Sequence, residues 1–130
     1  SGMSRTTGRE EIVKAGCECI AYQINDVIDA MRKDSEIDIS QMCVDGGPTR
    51  NKYLMQFQSD ISQTEIKIPD AEELSVIGAG YLAGESAGYY EPDDIYKAIT
   101  YNFFETEMPE QERNEKVQGW NEAVEMLLKK

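Results

Sequence analysis

Apolar residues recur every three to four positions from Val13 to Met31, through Cys17, Ile20, Ile24, Val27 and Ile28. That spacing predicts one long amphipathic helix. Glu11, Lys14, Glu18, Asn25, Asp29 and Arg32 fall on the other face, which is expected to be solvated. Thr7, with Glu10 three residues later, fits a capping box and sets the helix start. After a polar connection over 33–40, the short apolar run Met42-Cys43-Val44 reads as a buried strand at about 41–44. Two glycines and a proline interrupt the pattern. Helical spacing then resumes over about 51–59, with Leu54, Phe57 and Ile61 inward. Thr64 to Ile68 alternates polar and apolar, so it predicts a second strand, closed by Pro69. A helix between two strands implies parallel neighbours joined by a right-handed crossover.

Ser75 to Gly88 has helical character but carries four glycines, each costing about 1 kcal/mol relative to alanine. Gly80, Gly84, Ala87 and Gly88 make a flat face, expected to pack closely on a sheet or another helix. Gly80-x-x-x-Gly84 resembles a membrane dimer motif, but the nearby charges and the short apolar run rule that out. Pro92-Asp93 is expected to open a short helix through about Thr100. Tyr101, Phe103 and Phe104 are expected to cover an apolar edge. An acidic stretch with Pro109 leads to a last helix ending near Leu128, striped by Val117, Trp120, Val124 and Leu127. Trp120 is expected to anchor that helix. The predicted order is α-β-α-β-α with two C-terminal helices. Two parallel strands are too few for an independent sheet, so the chain reads as part of a larger domain.

A length of 130 residues suits one domain. The net charge of -12 argues against nucleic acid and anionic membrane surfaces as partners. No apolar run approaches the ~18 residues of a membrane span, and no signal peptide is recognised. Ser1-Gly2 ahead of Met3 reads as a tag remnant, so residues 1–3 are set aside. Three cysteines without framework spacing, Cys17, Cys19 and Cys43, suggest a reducing, cytoplasmic setting. Cys17 and Cys19 lie two apart on a helix and so cannot share a metal. The absence of histidine removes Ser-His and Cys-His catalysis and His-based metal sites from this chain.

The stretch with the most chemistry is Val44-Asp45-Gly46-Gly47-Pro48-Thr49-Arg50-Asn51. It is a strand, a Gly-Gly turn and a helix start. Glycines allow positive φ and let a flat ligand lie against the backbone. The first helical turn offers unpaired N–H groups. Asn51, four residues after Gly47, is placed to reach a ligand on the glycines. The stretch reads as half of a nucleotide site, or as a plain strand-to-helix turn. Asp45 is tempting as a base at the strand end, but a turn-capping side chain explains it better.

These residues resemble a known family. Val44 to Thr49 looks like the adenosine motif of the actin, hexokinase and Hsp70 superfamily. The run from Asn51 through Met55-Gln56-Phe57-Gln58-Ser59-Asp60 is similar to the FGGY carbohydrate kinases, and most similar to their glycerol kinase branch. Ser75 to Gly84 resembles that family's Ala-Leu-Gly-Ala-Ala-x-Leu-Ala-Gly helix. Glu18-x-Ile20-Ala21-Tyr22-Gln23 resembles the helix before the adenosine motif, and Gly119-Trp120-Asn121-x-Ala123-Val124 fits the family's C-terminal end. The likeness covers roughly residues 5–128.

The resemblance implies an α/β fold: a partial, helix-rich ribonuclease-H-like domain of actin-like ATPase type. Residues 4–90 would form part of the C-terminal ATP-binding lobe, and 91–130 a helical tail. The parent would be a kinase that moves the γ-phosphoryl group of ATP, with Mg²⁺, to a sugar or polyol hydroxyl. Gly47 matches the glycine whose backbone approaches the nucleotide, Gly46 supports the turn, and Asn51 matches the residue at the adenine end. Neither catalytic nor metal residues carry over, so the chain alone is expected to be inactive. The alternative is an actin-like ATPase lobe or interaction module without sugar kinase activity. A homo-oligomer is expected, because the strand at 41–44 would leave a bare edge.

Overall fold

A computed structural model describes residues 2–71, 74–89, 91 and 99–129. Helix α1 (Arg9–Ser35) leads into strand β1 (Gln41–Cys43), a 3-10 turn (Gly47–Arg50) and helix α2 (Lys52–Ser62). Strand β2 (Glu65–Pro69), helix α3 (Leu74–Ser86), strand β3 (Tyr101–Phe104) and helix α4 (Glu110–Leu128) complete the order. The class is α/β, as expected. The predicted helix at 92–100 falls mostly on residues 92–98, which lie outside the described residues; Ile99 and Thr100 have no regular structure.

The sheet runs β1-β2-β3. β1 and β2 are parallel, with Met42 opposite Ile66, as the intervening helix predicted. The third strand adds an element that the sequence reading lacked, since it expected Tyr101, Phe103 and Phe104 only to cover an apolar edge. They form β3, antiparallel to β2, with Ile66 opposite Phe104 and Pro69 opposite Tyr101. Four residues are too few for an alternation pattern to separate a strand from an aromatic loop. The pairing partner decides it.

α2 lies at the centre of the packing. Leu54, Met55, Phe57 and Ile61 from α2 join Ala21 from α1 and Ile66 from β2 in the buried core. Here the prediction for α1 needs a correction. Its buried residues are Ala21, Asn25 and Ile28. The predicted inward stripe is instead largely open: Val13 is 57% exposed and Val27 59%, and Ile20, Ile24 and Met31 are also exposed. At 100° per residue, the two faces lie roughly a quarter turn apart. Small Ala21 lets α2 approach closely, so α2 docks beside the apolar stripe rather than on it.

Two supposedly solvated residues of α1 lie within the packing, and one of them bridges elements. Arg32 donates to Ser62 O at 2.9 Å, Ile39 O at 2.8 Å and Thr64 Oγ1 at 2.8 Å, clamping the end of α2 to the segment before β1. Asn25 is buried and donates to Asp29 at 2.9 Å. The helix start also shifts by one residue. Gly8 is the N-cap, and its N–H donates to Glu11 Oε2 at 2.8 Å, so Thr7 and Glu10 are not the capping pair.

α3 has no buried residue among those described. A Cβ placed on Gly78 or Gly80 would meet nothing within 4 Å. The expected close packing of its glycine face is therefore not made by the described part of this chain.

Candidate nucleotide-contacting site

β1 delivers the chain to the glycine turn. Val44 N donates to Lys67 O at 3.0 Å, extending the pairing by one residue beyond β1. Gly46 then takes φ 92° and ψ 177°. That is an extended conformation with positive φ, open essentially to glycine alone. The turn closes on its carbonyl, which accepts from Thr49 N at 3.1 Å and Thr49 Oγ1 at 2.7 Å. Asp45 is exposed, and the side chain that closes the turn is Thr49, so the capping role expected of Asp45 passes to Thr49.

Gly47 differs from Gly46. It has no positive φ and begins the 3-10 turn. A Cβ there would meet nothing within 4 Å. The chain's own packing does not require glycine at this position; the residue leaves an open backbone face. Of the two glycines, then, only Gly46 is needed for the turn.

Asn51 links the 3-10 turn to α2. Its N–H donates to Pro48 O at 3.0 Å. Its side-chain oxygen accepts from Leu54 N at 3.2 Å and caps α2. Its amide nitrogen points away from the helix, 3.8 Å from Cys17 Sγ.

Two depressions flank this turn. Asp45, Gly46, Gly47 and Thr49 face Pro69 and Asp70 across a cleft of about 190 Å³ at the carboxyl ends of β1 and β2. In open α/β sheets, ligands bind outside those strand ends. A shallower groove of about 570 Å³ runs between the starts of α1 and α2, lined by Arg9, Val13, Lys14, Cys17, Asn51 and Tyr53. The glycines thus line one depression and Asn51 the other.

The groove carries one organised polar cluster. The Tyr53 hydroxyl donates to Glu18, which also lies 3.7 Å from Lys14 Nζ. Burial raises the Tyr53 pKa, and the hydrogen bond and charge of Glu18 raise it further. Burial, and then Glu18, push Tyr22 up to about 12. Sequence reading missed the groove residues Val13, Cys17 and Tyr53. Tyr53 adjoins Asn51 and was findable from its position. Cys17 lies 34 residues away and carries no local signal. Among the described residues, no group of three His, Cys, Asp or Glu side chains is placed to hold a metal.

A model of the FGGY family of carbohydrate kinases, C-terminal domain, matches residues 1–87. The chain belongs to the FGGY family of carbohydrate kinases. A glycerol kinase from Natranaerobius thermophilus is 44% identical over 98% of this chain and 26% of its own length. A glycerol kinase from Vibrio parahaemolyticus is 42% identical over 95% of this chain and 25% of its own. A crystal structure of Plasmodium falciparum glycerol kinase with ADP superposes with a TM-score of 0.89 at 35% identity, over the whole of this chain and 26% of that one. A xyloylose kinase from Brucella ovis shares the fold, with a TM-score of 0.74 at 20% identity, over 97% of this chain and 27% of that one. The chain spans about a quarter of the length of the relatives it matches. These likenesses establish the ribonuclease-H-like fold of sugar kinases for this FGGY domain.

Met55 to Asp60, one of the runs that carried the resemblance, is bonded into the fold. Gln56 Nε2 donates to Glu105 O at 2.7 Å, and Ser59 Oγ to Phe104 O at 3.0 Å. Buried Asp60 accepts from the backbone N–H groups of Glu107 and Met108 at 2.8 and 3.1 Å. Arg113 Nε returns a bond to Ile61 O at 2.9 Å. Together these tie α2 to β3 and to the entry of α4.

Proposed function

We propose that this FGGY domain supplies the adenosine-contacting side of the nucleotide site in an ATP-dependent carbohydrate kinase of glycerol kinase type. The observation that carries this is the open backbone face of Gly47, one 3-10 turn from the outward amide of Asn51. The turn packs adequately without using that face, and a flat ring fits where a Cβ would stand. Gly46 holds the turn; Gly47 and Asn51 touch the nucleotide. The ADP-bound relative of the same fold supports this reading.

The chemistry needs more than this chain contains. Phosphoryl transfer relies on positioning and on neutralising charge at the phosphates with metal and donors. The family resemblance, rather than any feature of this fold, puts the catalytic, Mg²⁺ and sugar or polyol residues in the rest of the parent enzyme. The exposed apolar stripe of α1 and the bare face of α3 support a larger body packed against this domain. Among the described residues β1 pairs only with β2, so its free edge supports assembly into a homo-oligomer. Light scattering that shows a strict monomer would remove that part.

The test is a coupled ATP assay with glycerol and several pentuloses. The full-length gene product turns over, and Gly47→Val with Asn51→Ala abolishes it. The 130-residue chain alone gives no turnover above background. Activity of the isolated chain, or wild-type activity of the double variant, would overturn the proposal.

A further inference from the structure

Asp45 stands between the last bond of the β1–β2 ladder and the glycine turn and takes part in neither. Its side chain is exposed, and among the described residues no hydrogen bond or ion pair engages the carboxylate. It borders the cleft at the strand ends, so water reaches it. The amide that follows it is equally free. Val44 N donates to Lys67 O, but two residues on, the Gly46 N–H has no partner among the described residues. Gly46 also has no Cβ to crowd an approach to its nitrogen. A free carboxyl and a free amide are thus one C–N bond short of a five-membered ring.

The other aspartates in the described elements are held off such a closure. Asp26, Asp29 and Asp34 lie in α1, where the next N–H is spent on the helix. Asp60 lies in α2, and its Oδ1 already accepts two backbone N–H groups. Asp38 and Asp70 are followed by Ile39 and Ala71, whose side chains flank the nitrogen. Asp45 is the one aspartate of the chain that precedes a glycine.

We propose that Asp45–Gly46 is a site of spontaneous isoaspartate formation. The Gly46 nitrogen attacks Asp45 Cγ. A C–N bond forms, the carboxyl hydroxyl leaves as water with the amide hydrogen, and a succinimide results. Water then adds back. Opening at the side-chain carbonyl restores aspartate. Opening at the main-chain carbonyl breaks the original peptide C–N bond and leaves Gly46 linked through Asp45 Cγ. Water is released once and taken up once, so no other reactant is needed. The product carries an extra methylene in the main chain just before Gly46, whose carbonyl Thr49 grips. On the nucleotide-site reading above, that insertion displaces the open face of Gly47, and the modified protein binds nucleotide weakly. Only this consequence rests on that reading.

The experiment ages the full-length gene product in warm, neutral buffer and follows the tryptic peptide 34–50 by chromatography and electron-transfer fragmentation. Ageing in ¹⁸O-labelled water marks the product, so isoaspartate made during digestion is not counted. Asp34 and Asp38 in the same peptide are internal references, and the synthetic peptide gives the unfolded rate. Isoaspartate is expected at Asp45 and not at Asp34 or Asp38. Its rate is expected within about tenfold of the free peptide's, because no more than one hydrogen bond's worth of local opening stands in the way. Asp45→Glu keeps the carboxylate, would need a six-membered ring, and stops the reaction. A slower folded-state rate than that, or equal isoaspartate at Asp34, overturns the proposal. ATP titrations compare each aged sample with its own fresh one: affinity falls with the isoaspartate fraction in the parent and holds in Asp45→Glu. Isoaspartate that accumulates without loss of ATP binding overturns the stated consequence and leaves the modification standing. Fresh protein with no saturable ATP binding removes the nucleotide-site reading, and that consequence with it.

Discussion

The indole of Trp120 lies flat on the ring of Tyr22, with 5.1 Å between centroids and 7° between planes. Its N–H also donates to Asp26 at 2.9 Å. Tyr22 in turn meets Phe57 edge-on at 5.5 Å. α4 is thereby fastened to α1 and, through Tyr22, to the core. Trp120→Ala should cost about 2–4 kcal/mol, below the full range for a buried tryptophan because this one is half-exposed. Trp120→Phe keeps a ring on Tyr22 and should lose less. Urea midpoints followed by circular dichroism measure both, and equal stability of the two variants would refute the stacking account.

Asp60 receives two backbone N–H groups on one oxygen, Oδ1, ahead of α4. Asp60→Ala leaves both donors without a partner and should cost about 3 kcal/mol. Asp60→Asn retains an acceptor oxygen and loses only the charge assistance, about 1 kcal/mol. Thermal unfolding should rank native above Asn above Ala.

Gly46 and Gly47 should respond oppositely to substitution. Gly46→Ala forces a side chain into a conformation with positive φ, at a cost of about 1–3 kcal/mol. Gly47→Ala meets no atom and should leave the melting temperature within about 2 °C of the parent. If the backbone of Gly47 approaches the nucleotide, that same substitution weakens ATP binding to the full-length enzyme. Calorimetric melts paired with ATP titrations separate the two roles.

Alkaline pH should destabilise the chain through its tyrosines. The folded state holds Tyr22 protonated up to about 12, against 10.0 for an ordinary tyrosine. Below about pH 10 the group is protonated in both states and its contribution to stability is complete. Between about 10 and 12 the unfolded chain releases the proton and the folded chain keeps it, so stability falls as pH rises. Tyr53, raised by burial and by Glu18, adds to the same loss. Denaturant midpoints measured from neutral pH to about 11 should fall less for the Tyr22→Phe, Tyr53→Phe variant than for the parent.

The hydrophobic pattern by itself determined the long helix at Arg9–Ser35, the parallel strands on either side of α2, the final helix anchored by Trp120, and the glycine turn. These features are local: a helical period, a short apolar run, or a residue type that alone fits a backbone angle. The tertiary structure decided which face of α1 is covered. Val13 and Ala21 lie on neighbouring apolar arcs, and nothing in their spacing says which one α2 will choose. It also turned Tyr101–Phe104 into a strand, because four residues acquire their identity from the partner β2. Arg32 and Asn25 read as a solvated face in sequence, and nothing local marked Asp60 as buried. Arg32 and Asp60 became packing residues when a carbonyl and N–H groups far along the chain came within reach, and Asn25 when α2 covered its face of α1. The turn residues followed the same division. Positive φ at Gly46 follows from local chemistry. Which end of the Asn51 amide faces outward was settled by Leu54 N, once the helix formed and needed an acceptor.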